Sequence, residues 1–223
     1  MTQPPAPETQ PAERSHAYVR RVLGRRDEAL DLVLRRSLLE DGLPPIQVDD
    51  NAGRVLQLLT LLTRPARALE IGTLFGYSAL HIARGLPPGG RLTSLEVDPR
   101  CVEVAERNLA LAGVGERVDV VCADALEYLA RERLEPFDLI FVDGEKLAYP
   151  DYLKACYPLL APGGVLIADD AFAGGDYGPE LGDAPPEAAV AAITAYNRAV
   201  VRAGSLHSAF VGTETGFMVS VRS

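Results

Sequence analysis

Apolar residues gather in five short runs in the middle of the chain: 66–72 (ARALEIG), 91–97 (RLTSLEV), 117–123 (RVDVVCA), 137–143 (FDLIFVD) and 164–170 (GVLIADD). Each is rich in Val, Ile and Leu and is strand-sized, and such runs match strands buried on both faces. Between them lie stretches of helical character at 77–86, 99–112, 125–134 and 149–160. This alternation predicts right-handed βαβ units and an α/β fold built on a parallel sheet with helices on both faces. PPGG at 87–90 and APGG at 161–164 predict the turns that return the chain to the sheet.

The flanks follow other patterns. Residues 1–13 are rich in Pro and polar groups and predict a disordered tail, leaving 14–223 as one domain. Residues 14–42 predict N-terminal helices ending at Gly42 as a C-cap. After the extended stretch LPPIQV, Asp49 or Asp50 caps a helix with apolar positions Val55, Leu58, Leu59 and Leu62, and Pro65 limits it. Beyond Phe172, the Gly- and Pro-rich segment 173–187 predicts a flap or lid. A helix at 188–203 and an antiparallel hairpin at 205–221, on the sheet edge, complete the chain.

Composition narrows the function classes. A chain of 223 residues suits one α/β domain. No apolar run approaches the ~20 residues of a membrane span. The N-terminus lacks the basic start and apolar core of a secretory signal. Cys101, Cys122 and Cys156 are scattered, as expected of small buried apolar residues in a reducing cytoplasm. A net charge of −9 argues against a sequence-independent grip on nucleic acid. Lys146 and Lys154 are the only two lysines.

Chemistry-bearing residues stand where strands end, the ligand edge of an open α/β sheet. LEIGTLFGYS places Glu70, Gly72, Thr73 and Gly76 at a strand–turn–helix junction. The spacing Gly72-x-x-x-Gly76 is not the GxGxxG of a dinucleotide loop, and Glu70 disfavours a pyrophosphate. An acid there suits S-adenosylmethionine (SAM), which carries an ammonium and a sulfonium and no phosphate. Glu96, ending the second strand, stands where such folds hold a ribose; Asp124 and Ala125 follow the third, where an adenine edge could be read. Each acid alone also fits a solvated strand end or a helix cap.

The fourth and fifth strands end in Asp143 and in the adjacent pair Asp169 and Asp170. Side-by-side carboxylates repel unless a positive charge intervenes. If the two strands are neighbours, three oxygen ligands converge and fit a hard cation such as Mg²⁺. The alternative is that Asp170 caps a short helix and Asp169 faces solvent.

LEIGTLFGYSAL, FDLIFVDGEK and GGVLIADDAF together resemble the cation-dependent O-methyltransferases, the family of catechol and caffeoyl-CoA O-methyltransferases. The resemblance runs from about Ile46 to the C-terminal hairpin and implies a Rossmann-like SAM-dependent methyltransferase fold and a homodimer. It implies Asp143, Asp169 and Asp170 as metal ligands, for Mg²⁺ foremost and otherwise Ca²⁺, Mn²⁺ or Zn²⁺, and Lys146 as the catalytic base. It also implies SAM contacts from Glu70, Gly72, Ser78, Glu96 and Ala125, with Val48 lining the pocket. Asp170 departs from the family's usual Asn, which adds a negative charge, and the Trp that often follows is missing.

The chemistry expected is transfer of the SAM methyl group to a vicinal-dihydroxy, catechol-like small molecule whose two oxygens chelate the metal. Lys146 accepts the proton if the cation and desolvation lower its pKa. Phe172, Tyr149 and Tyr177 are candidates to flank a flat ring. The alternative within the same fold is a tRNA-modifying methyltransferase, which requires the arginines to cluster.

Overall fold

The computed structural model describes residues 11–131, 134–173 and 187–223. Its sheet contains β1 (Arg67–Ile71), β2 (Arg91–Glu96), β3 (Val118–Cys122), β4 (Phe137–Val142), β5 (Leu160–Ala168), β6 (Leu206–Val211) and β7 (Phe217–Arg222). The spatial order is β3-β2-β1-β4-β5-β7-β6. The first five strands pair in parallel, and β7 runs antiparallel to both β5 and β6. The parallel sheet and the edge hairpin therefore stand as the apolar runs predicted.

Side chains that alternate along the strands build a core on each face. Leu139, Phe141, Ile167 and Phe217 pack with α2 (Glu28–Arg35), α3 (Asp50–Thr63), α4 (Tyr77–Gly85) and α5 (Pro99–Leu111). Ile140, Val142, Leu166 and Met218 face α6 (Ala125–Leu129), α7 (Tyr149–Cys156) and α8 (Glu187–Arg202). Phe141 is fully buried and meets Phe217 edge-on at 5.7 Å. Truncating such a ring to Ala costs about 3–5 kcal/mol.

Several elements differ from the sequence pattern. The N-terminal helical stretch is broken at Gly24, where φ is +72°, into α1 (Pro11–Leu23) and α2, and the Asp27 side chain caps α2. Residues 11–13, read as tail, belong to α1, and residues 1–10 lie outside the described residues. The 125–134 helix stops at Leu129, and α7 gives way to a 3-10 turn at Tyr157–Leu159 that accommodates Pro158. APGG is a bulge inside β5 rather than a turn before it: pairing with β4 jumps from Phe137↔Leu160 to Leu139↔Val165.

The face of α3 follows expectation only in part: Val55 and Leu59 pack, partly buried, against the core. Ala52, Gly53, Leu56 and Thr60 are buried, whereas Leu58 and Leu62 are exposed. Small residues face α4 because the two helices approach closely. A Cβ on Gly53 would lie 2.4 Å from the His81 ring. Cys101 and Cys156 are buried and free, but Cys122 is exposed.

Candidate active site

The strand order sets the acids in a row. Asp124, Glu96, Glu70, Asp143 and the Asp169–Asp170 pair end β3, β2, β1, β4 and β5, which are successive neighbours in the sheet. The direction of strand addition reverses between β1 and β4, the switch point at which open α/β sheets bind ligands. There, Asp143 N–H donates to Ile71 O at 2.8 Å, and Gly72 N–H donates to Leu95 O at 2.9 Å. Gly72 has φ +93°, and a Cβ would fall 2.2 Å from Asp143 O. Only glycine lets the two strand ends touch.

On the β1 side, Glu70 is 0% exposed. Ser94 Oγ donates to Glu70 Oε2 at 2.5 Å, and Ser94 and Thr73 share a hydroxyl contact of 2.6 Å. Burial pushes the Glu70 carboxyl up to about 8; Ser78 and Ser94 oppose this, and the charges of Asp143 and Glu96 reinforce it. Glu96 Oε2 accepts N–H groups of Thr73 and Leu74 at 3.2 and 2.8 Å, while Oε1 accepts those of Val97 and Asp98 at 2.9 and 3.0 Å. Glu70, Thr73 and Glu96 thus form one network under the loop. Gly76, at φ +85°, precedes α4 as its N-cap and brings Ser78 into the first turn. Asp124 is exposed and caps α6 through Glu127 N–H at 2.9 Å, with buried Ala125 next to it. Val48 is buried just ahead of Asp49, which caps α3.

On the other side, Asp143, Asp169 and Asp170 converge, and one carboxylate oxygen from each lies within 4.8 Å of the others. Lys146 Nζ stands 2.8 Å from Asp143 Oδ1 and 2.5 Å from Asp170 Oδ2. Burial raises the pKa of Asp143 against the pull of Lys146. It also raises that of Asp169, aided by the neighbouring aspartates. Burial alone would lower the pKa of Lys146, but Asp143 and the other acids outweigh it and hold the ammonium form. This reverses the direction expected of a lysine poised to accept a proton. Asp170 adopts φ +53°, a left-handed conformation that Asp and Asn tolerate better than most residues. The pair therefore does not cap a helix into solvent: Asp169 is only 4% exposed.

Two groups have roles the sequence did not reveal. Tyr149 is fully buried and cannot flank a ring. Its hydroxyl donates to Asp169 O at 3.1 Å and accepts from Lys146 Nζ at 3.3 Å, so it braces the lysine. Thr215, in the hairpin turn, donates from Oγ1 to Asp169 Oδ1 at 2.6 Å across 46 residues of chain. No local pattern signals either contact. Phe172 stacks with Phe210 at 6.0 Å. Tyr177 and residues 174–186 of the expected lid lie outside the described residues. A separate cleft of about 40 Å³ touches Tyr77, His81 and Arg26. It contains none of the expected site residues, and its Arg26 is paired with Asp50 at 2.6 Å.

A sequence profile described as O-methyltransferase matches residues 25–222. A catechol O-methyltransferase of Niastella koreensis is 41% identical over 156 residues, spanning 69% of this chain and 70% of that protein. A catechol O-methyltransferase of Mycobacterium tuberculosis is 41% identical over 147 residues, 66% of this chain and 67% of its own. An O-methyltransferase of Bacillus cereus in complex with SAH superposes with TM-score 0.81 at 30% identity, covering 94% of this chain and 97% of that one. A Streptomyces achromogenes O-methyltransferase involved in tomaymycin synthesis, in complex with SAM, gives TM-score 0.79 at 31% identity, covering 96% and 100%. No helix among the described residues is long and apolar enough to cross a membrane.

Proposed function

The chain belongs to the O-methyltransferase family and takes its methyl group from SAM; from that premise we propose that its acceptor is a small aromatic molecule with two adjacent hydroxyls, and that Asp143, Asp169 and Asp170 hold a divalent cation. The observation that carries the reading is the charge imbalance of the cluster. Three carboxylates from two strand ends meet one ammonium, that of Lys146. When all three are ionised, this all-oxygen donor set carries an excess of two negative charges, which fits a hard divalent ion, Mg²⁺ before Mn²⁺, Ca²⁺ or Zn²⁺. The catechol O-methyltransferase relatives support the diol.

When bound, such a cation acidifies a hydroxyl that contacts it and fixes its position. The chain's own residues do the rest. Gly72 and Asp143 touch across the switch point, so SAM held at Gly72 would lie next to an acceptor held at Asp143, which supports transfer between neighbouring sites. Buried Glu70, which burial and the like charges of Asp143 and Glu96 keep protonated, would ionise beside the cationic head of SAM and pair with it. With Asp143 and Asp170 compensated, Lys146 would be released from their field and give its ammonium proton to solvent, and the neutral Nζ would then take the acceptor proton while Tyr149 steadies it. The acceptor oxygen attacks the SAM methyl in line, and S-adenosylhomocysteine leaves.

The test is methyl transfer from labelled SAM to a panel of vicinal diphenols with Mg²⁺ and then EDTA. We expect turnover that EDTA abolishes and Mg²⁺ restores. Turnover that survives EDTA removes the cation from the chemistry, and no turnover on any diphenol removes the catechol-like acceptor.

A further inference from the structure

We infer that Thr215 is a positioning residue for the metal site, orienting Asp169 from the tip of the C-terminal hairpin; the inference rests on the metal reading above. Asp169 leaves the end of β5 with free rotation about two side-chain bonds. The Thr215 hydroxyl holds its Oδ1 at 2.6 Å, which fixes the carboxylate plane and hence the place of the second oxygen. Outer hydrogen bonds of this kind set the direction of a metal-ligating carboxylate.

The donor is itself held rigidly. Glu214 N–H donates to Asp49 Oδ2 at 2.9 Å, and Gly216 N–H donates to Thr213 Oγ1 at 2.9 Å. On the metal-loop side, Ala171 N–H donates to Gly216 O at 2.9 Å and Phe172 N–H to Thr215 O at 3.1 Å. Gly216 has φ +81°, and a Cβ there would lie 2.4 Å from the Phe172 ring, so the turn lies flush on the residues just after Asp170. The turn thus bridges the capped start of α3, through Asp49, and the aspartate pair.

Fold maintenance does not require the hydroxyl. The register of β5 on β7 is already set by the pairs from Val165↔Val221 to Ala168↔Met218. The Thr215 hydroxyl adds to that framework a hydrogen bond to a proposed ligand.

The test compares Thr215→Val, which keeps the shape and loses the hydroxyl, with Thr215→Ser, which keeps the hydroxyl. Mn²⁺ affinity of the full-length protein is read by EPR titration without SAM or acceptor, alongside metal-free melting temperature. Thr215→Val is expected to weaken Mn²⁺ by about tenfold or more, the range found for outer-shell partners, and Thr215→Ser by less than about twofold. Unchanged Mn²⁺ affinity in Thr215→Val overturns the inference, whatever its melting temperature does. Equal losses in both variants overturn it too, because they assign the effect to turn packing. A wild-type protein that takes up no Mn²⁺ fails earlier and removes the metal reading itself.

Discussion

Lys146 Nζ lies 2.5 Å from Asp170 Oδ2, so the proposed base is tied to a proposed metal ligand. The ammonium and a divalent cation therefore compete for the same carboxylates. Lys146→Met is expected to do two opposite things: lower turnover by roughly 100-fold or more, as loss of a general base does, and tighten Mn²⁺ binding. A turnover within twofold of wild type would place the proton acceptor elsewhere.

Asp170→Asn separates charge from geometry. The left-handed φ of +53° suits Asn as well as Asp, so the fold should persist. One fewer ligand charge should weaken Mg²⁺ by about tenfold. At saturating Mg²⁺ the rate should rise, because a less neutralised cation acidifies the acceptor more. Unchanged affinity and rate in a Mg²⁺ titration would show the extra charge to be idle.

Stability of the SAM-free, EDTA-treated protein should fall as pH rises from 6.5 to 8. Glu70 keeps its proton up to about 8 when folded but loses it near 4.5 when unfolded. Its contribution is complete below 4.5 and vanishes as pH rises through 8. Buried His81 works with the opposite sign: its pKa drops from 6.5 to about 4, so its contribution is present above 6.5 and lost as pH falls through 4. Above 6.5 the Glu70 effect is unopposed by His81. Melting temperatures of wild type and Glu70→Gln across this range provide the check. Equal slopes would refute the assignment to Glu70.

The exposed face of α3 predicts self-association. Leu58, Leu61 and Leu62 are 54, 52 and 70% exposed on consecutive turns, more apolar surface than scattered side chains account for. A homodimer burying this face should become monomeric in Leu58→Glu/Leu62→Glu. Light scattering that gives the same mass for both proteins would place any interface elsewhere.

The five strands, their parallel pairing and the acids at their ends were legible because each depends on short-range periodicity. A central strand such as β4, buried along nearly all its length, must be largely apolar with its polar punctuation where it exits. By contrast β3, at the sheet edge, is mostly unburied and so departs from the expected burial on both faces. The buried face of α3 was legible only in part: Val55 and Leu59 do pack against the core, but Leu58 and Leu62 satisfy a helical stripe as well as Leu56 does and are exposed. Contact with α4 chose Ala52, Gly53 and Thr60 instead, because close helix approach selects small side chains over apolar ones.

By itself, the sequence determined which elements form and placed Glu70, Glu96, Asp143, Asp169, Asp170 and Lys146 near strand ends. Only the tertiary structure decided how they meet. The strand order puts β1 against β4, so that Gly72 touches Asp143, and β7 against β5, so that Thr215 reaches Asp169. It buries Tyr149 as a brace and holds Lys146 as an ammonium among three carboxylates. The physical reason is one of range. Side-chain periodicity acts over a few residues, whereas a site's geometry and electrostatics arise from hydrogen-bonded neighbours far apart in sequence.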